Sequence, residues 1–327
     1  MQYTALGNTG LTVSVAGLGC GGNSRIGQGA GLSTAQSVAL VREAFNLGVT
    51  FFDTAEAYGT EEILGRAFSA ADRAKVIIST KSRILRGTER LAPSEVVANL
   101  DASLRRLSTD YVDVFLLHGV RPEDYDYACQ TLMPALLAEK AKGKIRCLGL
   151  SETSPHDPGQ FMLQSALNEP TWQVMMLAYH MLNQGARRDL FPRTTRQGVG
   201  TLLMFVVRNI FSKPGLLTET VRQLAASGQL SADLLSNDDP LGFLLHEGGA
   251  ENLIDAAYRF ARHEPGGDVV MFGTSSIGHL KSNVASILRP PLPAKDVQRL
   301  YELFGSLRGV GLDLPERIKL TAMVKPS

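Results

Sequence analysis

Four residues of unlike chemistry stand in a fixed order in the first part of the chain: Asp53, Tyr58, Lys81 and His118. A free tyrosine hydroxyl has a pKa of about 10, too high for efficient proton donation near neutrality, so an acid of this kind needs a cation beside it. Lys81 is the candidate: one unit charge at ~4 Å and an effective dielectric near 20 is worth about 4 kcal/mol, on the order of three pKa units. Asp53 would keep that lysine protonated and oriented, and His118 would hydrogen-bond and position a substrate oxygen. Such a set moves a proton to a carbonyl oxygen while a hydride reaches its carbon. Taken singly, each residue also has a structural reading: Asp53 or Thr54 as a helix cap, Tyr58 as a loop anchor, Lys81 as a solvated strand end, His118 as a satisfied core histidine. Only convergence at one place makes them a site.

The elements that would bring them together are legible in the apolar pattern. Short runs rich in Val, Ile and Leu alternate with longer segments whose apolar residues recur every three or four positions, the alternation of parallel βα units. After a hairpin (Tyr3 to Leu6, a turn at Gly7-Asn8-Thr9-Gly10, then Val13 onward), strands are predicted at Ala16–Gly19, Val49–Asp53, Val76–Thr80, Val112–His118, Ile145–Leu150, Trp172–Ala178, Gly200–Val207 and Val269–Gly273. Helices are expected at 33–48, 60–70, 93–107, 132–142, 155–168, 184–197, 250–263 and 278–288, with Ser33 and Pro93 as start signals and Gly48 as a stop. Eight such units predict a (β/α)8 TIM barrel, a fold of about 250 residues plus insertions that keeps its chemistry at the C-terminal strand ends. All 327 residues are read as one barrel domain, with residues 208–249 as an inserted lid or binding loop and 306–327 as a C-terminal tail.

Composition narrows the function classes. The chain has 33 Lys and Arg against 32 Asp and Glu, a net charge of +1, so nothing steers it toward nucleic acid or an anionic membrane. Three widely spaced cysteines, Cys20, Cys129 and Cys147, fit neither a disulfide framework nor a metal pair, and no second His or Cys stands at ligand spacing from His118. No signal segment or membrane span is apparent, and a reducing, cytoplasmic setting is expected. Gly17-Leu18-Gly19-Cys20-Gly21-Gly22 fits the glycine fingerprint of doubly wound dinucleotide folds, yet the Gly-rich stretch 23–32 that follows is a poor helix.

The segments FFDTAEAYG (51–59), IISTK (77–81), VDVFLLHG (112–119), LGLSE (148–152) and FGTSSIGHLKSN (272–283) resemble the aldo-keto reductase superfamily. The opening GNTGLTVSVAGLGCGG (7–22) looks like its bacterial and potassium-channel-β-like branches, and the resemblance spans nearly the whole chain. It implies an NAD(P)H-dependent oxidoreductase acting on small carbonyls, with Tyr58 as proton donor, Lys81 and Asp53 as its tuning pair, and His118 orienting substrate. A nicotinamide cofactor is implied, NADPH by family habit with NADH as the other choice, and metal is not. Gly21 and Gly22 would keep the first loop close to it.

At the carboxamide the resemblance implies a Ser-Asn pair and a Gln. Here Ser151-Glu152 and Met176 stand in those places, and Gln173 falls on the opposite strand face. Phe205 would stack on the nicotinamide, and Arg208 and Asn209 would meet the pyrophosphate. Gly273, Thr274, Ser275, Ser276, His279 and Asn283 match the adenosine-binding segment, Lys281 being a possible cation for a 2′-phosphate. Asn23, Val120, Ile210, Phe211 and residues 306–327 are expected to wall the substrate pocket. The other reading is a nucleotide-binding, redox-sensing barrel with little turnover. Oligomeric state is left open.

Overall fold

A computed structural model describes residues 1–236 and 238–312. Eight parallel strands close into a barrel in chain order: β1 (Ala16–Gly19), β2 (Phe51–Asp53), β3 (Ile77–Arg83), β4 (Val112–Val120), β5 (Ile145–Glu152), β6 (Val174–Ala178), β7 (Gly200–Met204) and β8 (Val269–Phe272). Closure is made by β8 on β1, with Val270 opposite Ala16 and Phe272 opposite Leu18. Outside the strands lie α1 (Thr34–Asn46), α2 (Glu61–Ala67), α3 (Pro93–Leu107), α4 (Met133–Ala141), α5 (Phe161–Ala166), α6 (Phe191–Gln197), α7 (Leu253–Arg262) and α8 (Ile277–Leu288). The architecture is the (β/α)8 barrel expected from the alternation.

Local chemistry sets the boundaries. Ser33 caps α1 in a reciprocal box: its Oγ accepts the Gln36 amide at 3.3 Å, and the Gln36 side chain accepts the Ser33 amide at 2.9 Å. Pro93 opens α3, where a missing N–H costs nothing. The seventh strand stops at Met204, three residues short of the expected end, because Phe205 turns to φ 63° and cannot continue a ladder. The expected helix 184–197 is broken into Ala186–Asp189 and Phe191–Gln197, since Pro192 can serve a first turn but not a helix interior. The fifth helix begins only at Phe161, behind a left-handed Gln160, rather than at 155. After β1 the chain enters a 3-10 segment, Arg25–Ala30, and no α-helix follows the glycine fingerprint directly.

Two apolar layers hold this arrangement. One lies between strands and helices. The other fills the barrel interior with Phe51, Val114, Leu116, Val174, Leu202 and Val269, and receives Leu6, Leu11 and Val13 from the hairpin Tyr3–Ala5/Thr12–Ser14. Each such side chain contributes about 1.5–3 kcal/mol on full burial, so the hairpin is a plug for the end of the barrel opposite the strand C-termini. The Gly7 turn at its tip needs glycine: φ is +49°, and a Cβ there would sit 2.4 Å from the Gly198 carbonyl oxygen.

Gly149, midway along β5, sits where the barrel wall leaves no room for a side chain. A Cβ there would lie 2.1 Å from the Val174 carbonyl oxygen and 2.5 Å from Leu116 Cδ2. Gly149→Ala is therefore expected to force β5 and β6 apart and to destabilise the fold by about 3 kcal/mol, read as a lowered urea midpoint.

Candidate active site

The site is built at the C-terminal ends of β2, β3 and β4. Asp53 ends β2 and Lys81 lies within β3, which runs three residues beyond the predicted Thr80 and so carries the lysine in regular strand. Lys81 is fully buried and Asp53 is 4% exposed. Lys81 Nζ donates to both Asp53 oxygens, at 2.7 and 2.6 Å, and to the Thr54 carbonyl at 2.8 Å. Burial would lower the lysine's pKa, but the Asp53 carboxylate and the neighbouring Tyr58 hydroxyl raise it on balance. Burial likewise pushes Asp53 up while Lys81 pulls it back; with both oxygens on one ammonium, the geometry supports the ion pair.

Tyr58 reaches this pair through a short turn, Glu56–Tyr58, ended by a left-handed Gly59 at φ 69°. The turn is pinned by Thr60, whose Oγ1 donates to the Cys20 carbonyl at 3.1 Å and lies 2.8 Å from Thr54 Oγ1. Lys81 Nζ stands 5.0 Å from the Tyr58 ring centroid. Tyr58 Oη is 3.4 Å from His118 Nε2, and the two rings meet edge to face at 5.5 Å. Burial, then the charges of Lys81 and Arg83, push the His118 pKa down to about 3, so the imidazole is neutral at physiological pH. The four residues singled out by type and order thus converge.

A cavity of about 910 Å³ opens from Tyr58 and Asp53 across the strand ends toward α7 and α8. Of the expected positions, Gly21, Gly22, Asn23, Met176, Phe205, Arg208, Asn209, Phe211, Gly273, His279 and Asn283 line it. The Arg208 guanidinium lies over the Phe205 ring at 4.3 Å.

Other expected residues stand outside the lining. Ser151 is buried, and Val120 is buried where β4 meets Glu152. Ile210 is buried, its Cγ2 3.0 Å from where a Cβ on Gly311 would lie. Thr274 and Ser276 are engaged at the start of α8: the Thr274 hydroxyl donates to the Ser276 carbonyl at 3.0 Å, and Ser276 Oγ accepts the His279 amide at 3.2 Å. Ser275 is half-buried beside them. Gln173 precedes β6 rather than lying within it, and its side chain accepts from Lys140 outside the cavity lining. Of the C-terminal tail, 306–312 contributes no lining residue and 313–327 lies outside the described residues.

Sequence reasoning missed several lining residues. Ser282 and Ser286 share the α8 face of His279 and Asn283, a helical spacing of polar groups that could have shown them. Glu251, Asn252, Leu253, Ile254 and Tyr258, at and after the start of α7, and Leu245 of the insertion had no comparable signal. Among the described residues no three His, Cys, Asp or Glu side chains cluster as metal ligands would, and no helix is long and apolar enough to cross a membrane.

Glu152 departs furthest from its expected role as a cofactor contact. It is 3% exposed and ties the β5 end to β6: its Oε1 accepts the Ala178 amide at 2.7 Å, the Ser154 hydroxyl at 2.8 Å and the Gln160 amide at 3.3 Å. Its Oε2 is buried without a hydrogen-bond partner.

A tyrosine between a buried lysine and a neutral histidine stands at the mouth of a parallel barrel, beside a large cleft. Residues 17–304 match the aldo/keto reductase family, and the chain belongs to that family of oxidoreductases. It is similar to the L-galactose dehydrogenase of Arabidopsis thaliana, 29% identical over 318 residues and 95% of each chain. It is also similar to an aldo-keto reductase of Bacillus subtilis, 26% identical over 86% of this chain and 87% of that one. Among solved structures, an aldo-keto reductase from Bacillus halodurans in its holo form superposes with a TM-score of 0.69 at 24% identity, over 93% of this chain and 96% of that one. A thermostable aldo-keto reductase in complex with the inhibitor epalrestat gives 0.67 at 22% identity, over 92% and 99%. These two show likeness of fold.

Burial, partly offset by the three donors on Oε1, pushes the Glu152 carboxyl from an ordinary 4.5 up to about 7. The folded state then binds a proton that the unfolded chain releases, so stability is full below the unfolded pKa and declines as pH rises through the folded one. The loss approaches about 3 kcal/mol. Urea midpoints at a series of pH values should fall across this window in the wild type and fall less in Glu152→Gln.

Proposed function

We propose that this chain reduces aldehyde or ketone carbonyls to alcohols with a nicotinamide dinucleotide, Tyr58 delivering the proton. The observation that carries this reading is the Tyr58 hydroxyl set 3.4 Å from His118 Nε2 and against the buried Lys81–Asp53 pair.

The cleft fits such a dinucleotide. Phe205 offers an aromatic face at the end of β7, Arg208 a guanidinium suited to a pyrophosphate, and α8 a polar face of His279, Ser282 and Asn283 for a nucleoside. When bound, the nicotinamide supplies the hydride. The protein's part is proton delivery and orientation. His118, neutral, hydrogen-bonds the carbonyl oxygen beside Tyr58 Oη. The hydroxyl proton passes to that oxygen as it becomes an alkoxide, and the Lys81 ammonium stabilises the phenolate left behind. Asp53 holds the ammonium on the tyrosine side of the strand. In the reverse direction the same groups take the proton from an alcohol, as the dehydrogenase name of the Arabidopsis relative would require.

The family habit points to NADPH, but the lysine of α8 that would meet a 2′-phosphate is engaged elsewhere, which leaves NADH an equal choice. Lys281, the candidate for a 2′-phosphate, is bonded to Glu43 at 3.1 Å and does not line the cavity. Glu251 also lines it, but its carboxylate is ion-paired to the Arg289 guanidinium at 2.5 Å.

Loss of reduced-nicotinamide absorbance with a panel of aromatic and aliphatic aldehydes tests the reading. Tyr58→Phe should lower kcat by about 10²- to 10⁴-fold and leave nucleotide affinity nearly unchanged. Lys81→Met should lower kcat as well, and should also destabilise the fold by about 3–5 kcal/mol, because it leaves Asp53 buried and unpaired. NADH should be used at least as well as NADPH. Tight nucleotide binding without turnover by the wild type would favour the redox-sensing reading instead.

A further inference from the structure

The loop after β1 holds its shape at an unusual conformational cost. Arg25 and Ile26 both have positive φ, 43° and 50°. Ile26 is β-branched and fully buried, so its left-handed backbone is strained. The surrounding contacts leave it no alternative. The Arg25 amide donates to the Gly21 carbonyl at 3.1 Å, and the amides of Gly27 and Gly29 donate to the Ser24 carbonyl at 2.8 and 3.1 Å. A Cβ on Gly29 would sit 1.8 Å from the Asn23 carbonyl oxygen.

The result of this geometry is the aim of Arg25. Its Nε donates to the backbone carbonyl of Tyr58 at 2.8 Å, across 33 residues of sequence. Its guanidinium also fills the space over Gly59, where a Cβ would lie 2.9 Å from Nη2. The same loop touches the tyrosine ring, since a Cβ on Gly21 would be 2.5 Å from Tyr58 Cε2. Tyr58 is thus held at its main chain by Arg25, at its ring edge by Gly21 and at its far side by His118 and Lys81. The turn that carries it is otherwise short, Glu56–Tyr58, with no side-chain cap.

We propose that Arg25 is a positioning residue for Tyr58, and that the strained Arg25–Ile26 pair exists to aim its guanidinium at the Tyr58 carbonyl. This rests on the reading of Tyr58 as the proton donor. Arg25 touches no reacting atom; it fixes the peptide from which the phenol projects, and so the distance from the hydroxyl to the carbonyl oxygen it must protonate. Misplacement of a reacting group by about 1 Å costs on the order of 10²-fold in rate.

Steady-state reduction of benzaldehyde, or of whichever aldehyde in the panel turns over best, is to be compared in wild type, Arg25→Ala, Arg25→Lys and Tyr58→Phe. Nucleotide Kd, urea midpoint and the solvent deuterium isotope effect on kcat are measured for each. Arg25→Ala is expected to lower kcat by about 10- to 100-fold with Kd within about twofold of wild type and the fold intact. Its solvent isotope effect should rise, because proton transfer from a misplaced donor becomes a larger part of the barrier. Arg25→Lys, which keeps a donor on a flexible stem without the planar fork, should fall between the two. Unchanged kcat and isotope effect in Arg25→Ala would overturn the proposal. So would a kcat loss accompanied by equal losses of nucleotide binding and stability, which a merely structural loop residue would give. Undiminished turnover in Tyr58→Phe, or none in the wild type, would instead sink the reading of Tyr58, and the role of Arg25 with it.

Discussion

The ion pair between Lys81 and Asp53 is the constraint around which the site is organised. A buried ammonium is tolerable only if its protons have acceptors, and here three oxygens surround it: both of the Asp53 carboxylate and the Thr54 carbonyl. That arrangement demands that β2 and β3 be adjacent and in register, with Asp53 opposite Ser79 so that the lysine two residues on can reach back to it. It also demands that the chain leave β2 by a tight turn, because Thr54 must present its carbonyl to the lysine while Tyr58 returns to the same charge. The parallel barrel supplies both conditions, since every strand delivers its C-terminal residue to one rim.

Neighbouring charges follow from that pair. Burial makes a charged imidazole costly, and the ammonium at the rim adds to the effect, so His118 is held neutral and able to serve as a hydrogen-bond partner rather than a competing acid. The cysteine in the same layer is silenced by the same environment: Cys20 is fully buried, its thiol pushed far up by burial and then by Asp53. It is packing material beside Tyr58, not a nucleophile.

The barrel and the four-residue cluster were legible in the sequence because both depend on signals that survive without coordinates. Apolar runs at βα spacing mark strands, and strand ends mark the rim. What the sequence could not show were the places where one dihedral angle redirects the chain. Phe205 ends β7 early and turns the following residues into the wall of the cavity. Glu152 occupies the position of a cofactor contact yet faces β6, because an acceptor was needed for the Ala178 amide where the ladder runs out. Thr274 and Ser276 look like ligand hydroxyls in a motif, but the α8 N-terminus takes them for its own unsatisfied groups. Val120 and Ile210 were assigned to the pocket by order along the chain, and packing decided otherwise. The cavity-facing side of α7 carries no short motif, since its residues follow a long insertion whose path no periodicity reveals.

The described cavity draws on two separate stretches of chain. The ion pair, tyrosine and histidine come from residues 53–118, while most of the wall comes from 176–286. The Gly-rich loop after β1 joins the two, as it borders the cavity and braces the tyrosine. The four-residue cluster and most of the cavity wall are therefore encoded in different stretches of the gene. Insertions or exchanges in the later stretch would reshape the cavity wall while the four-residue cluster is inherited unchanged, which makes this barrel a modular starting point for new pockets, natural or engineered.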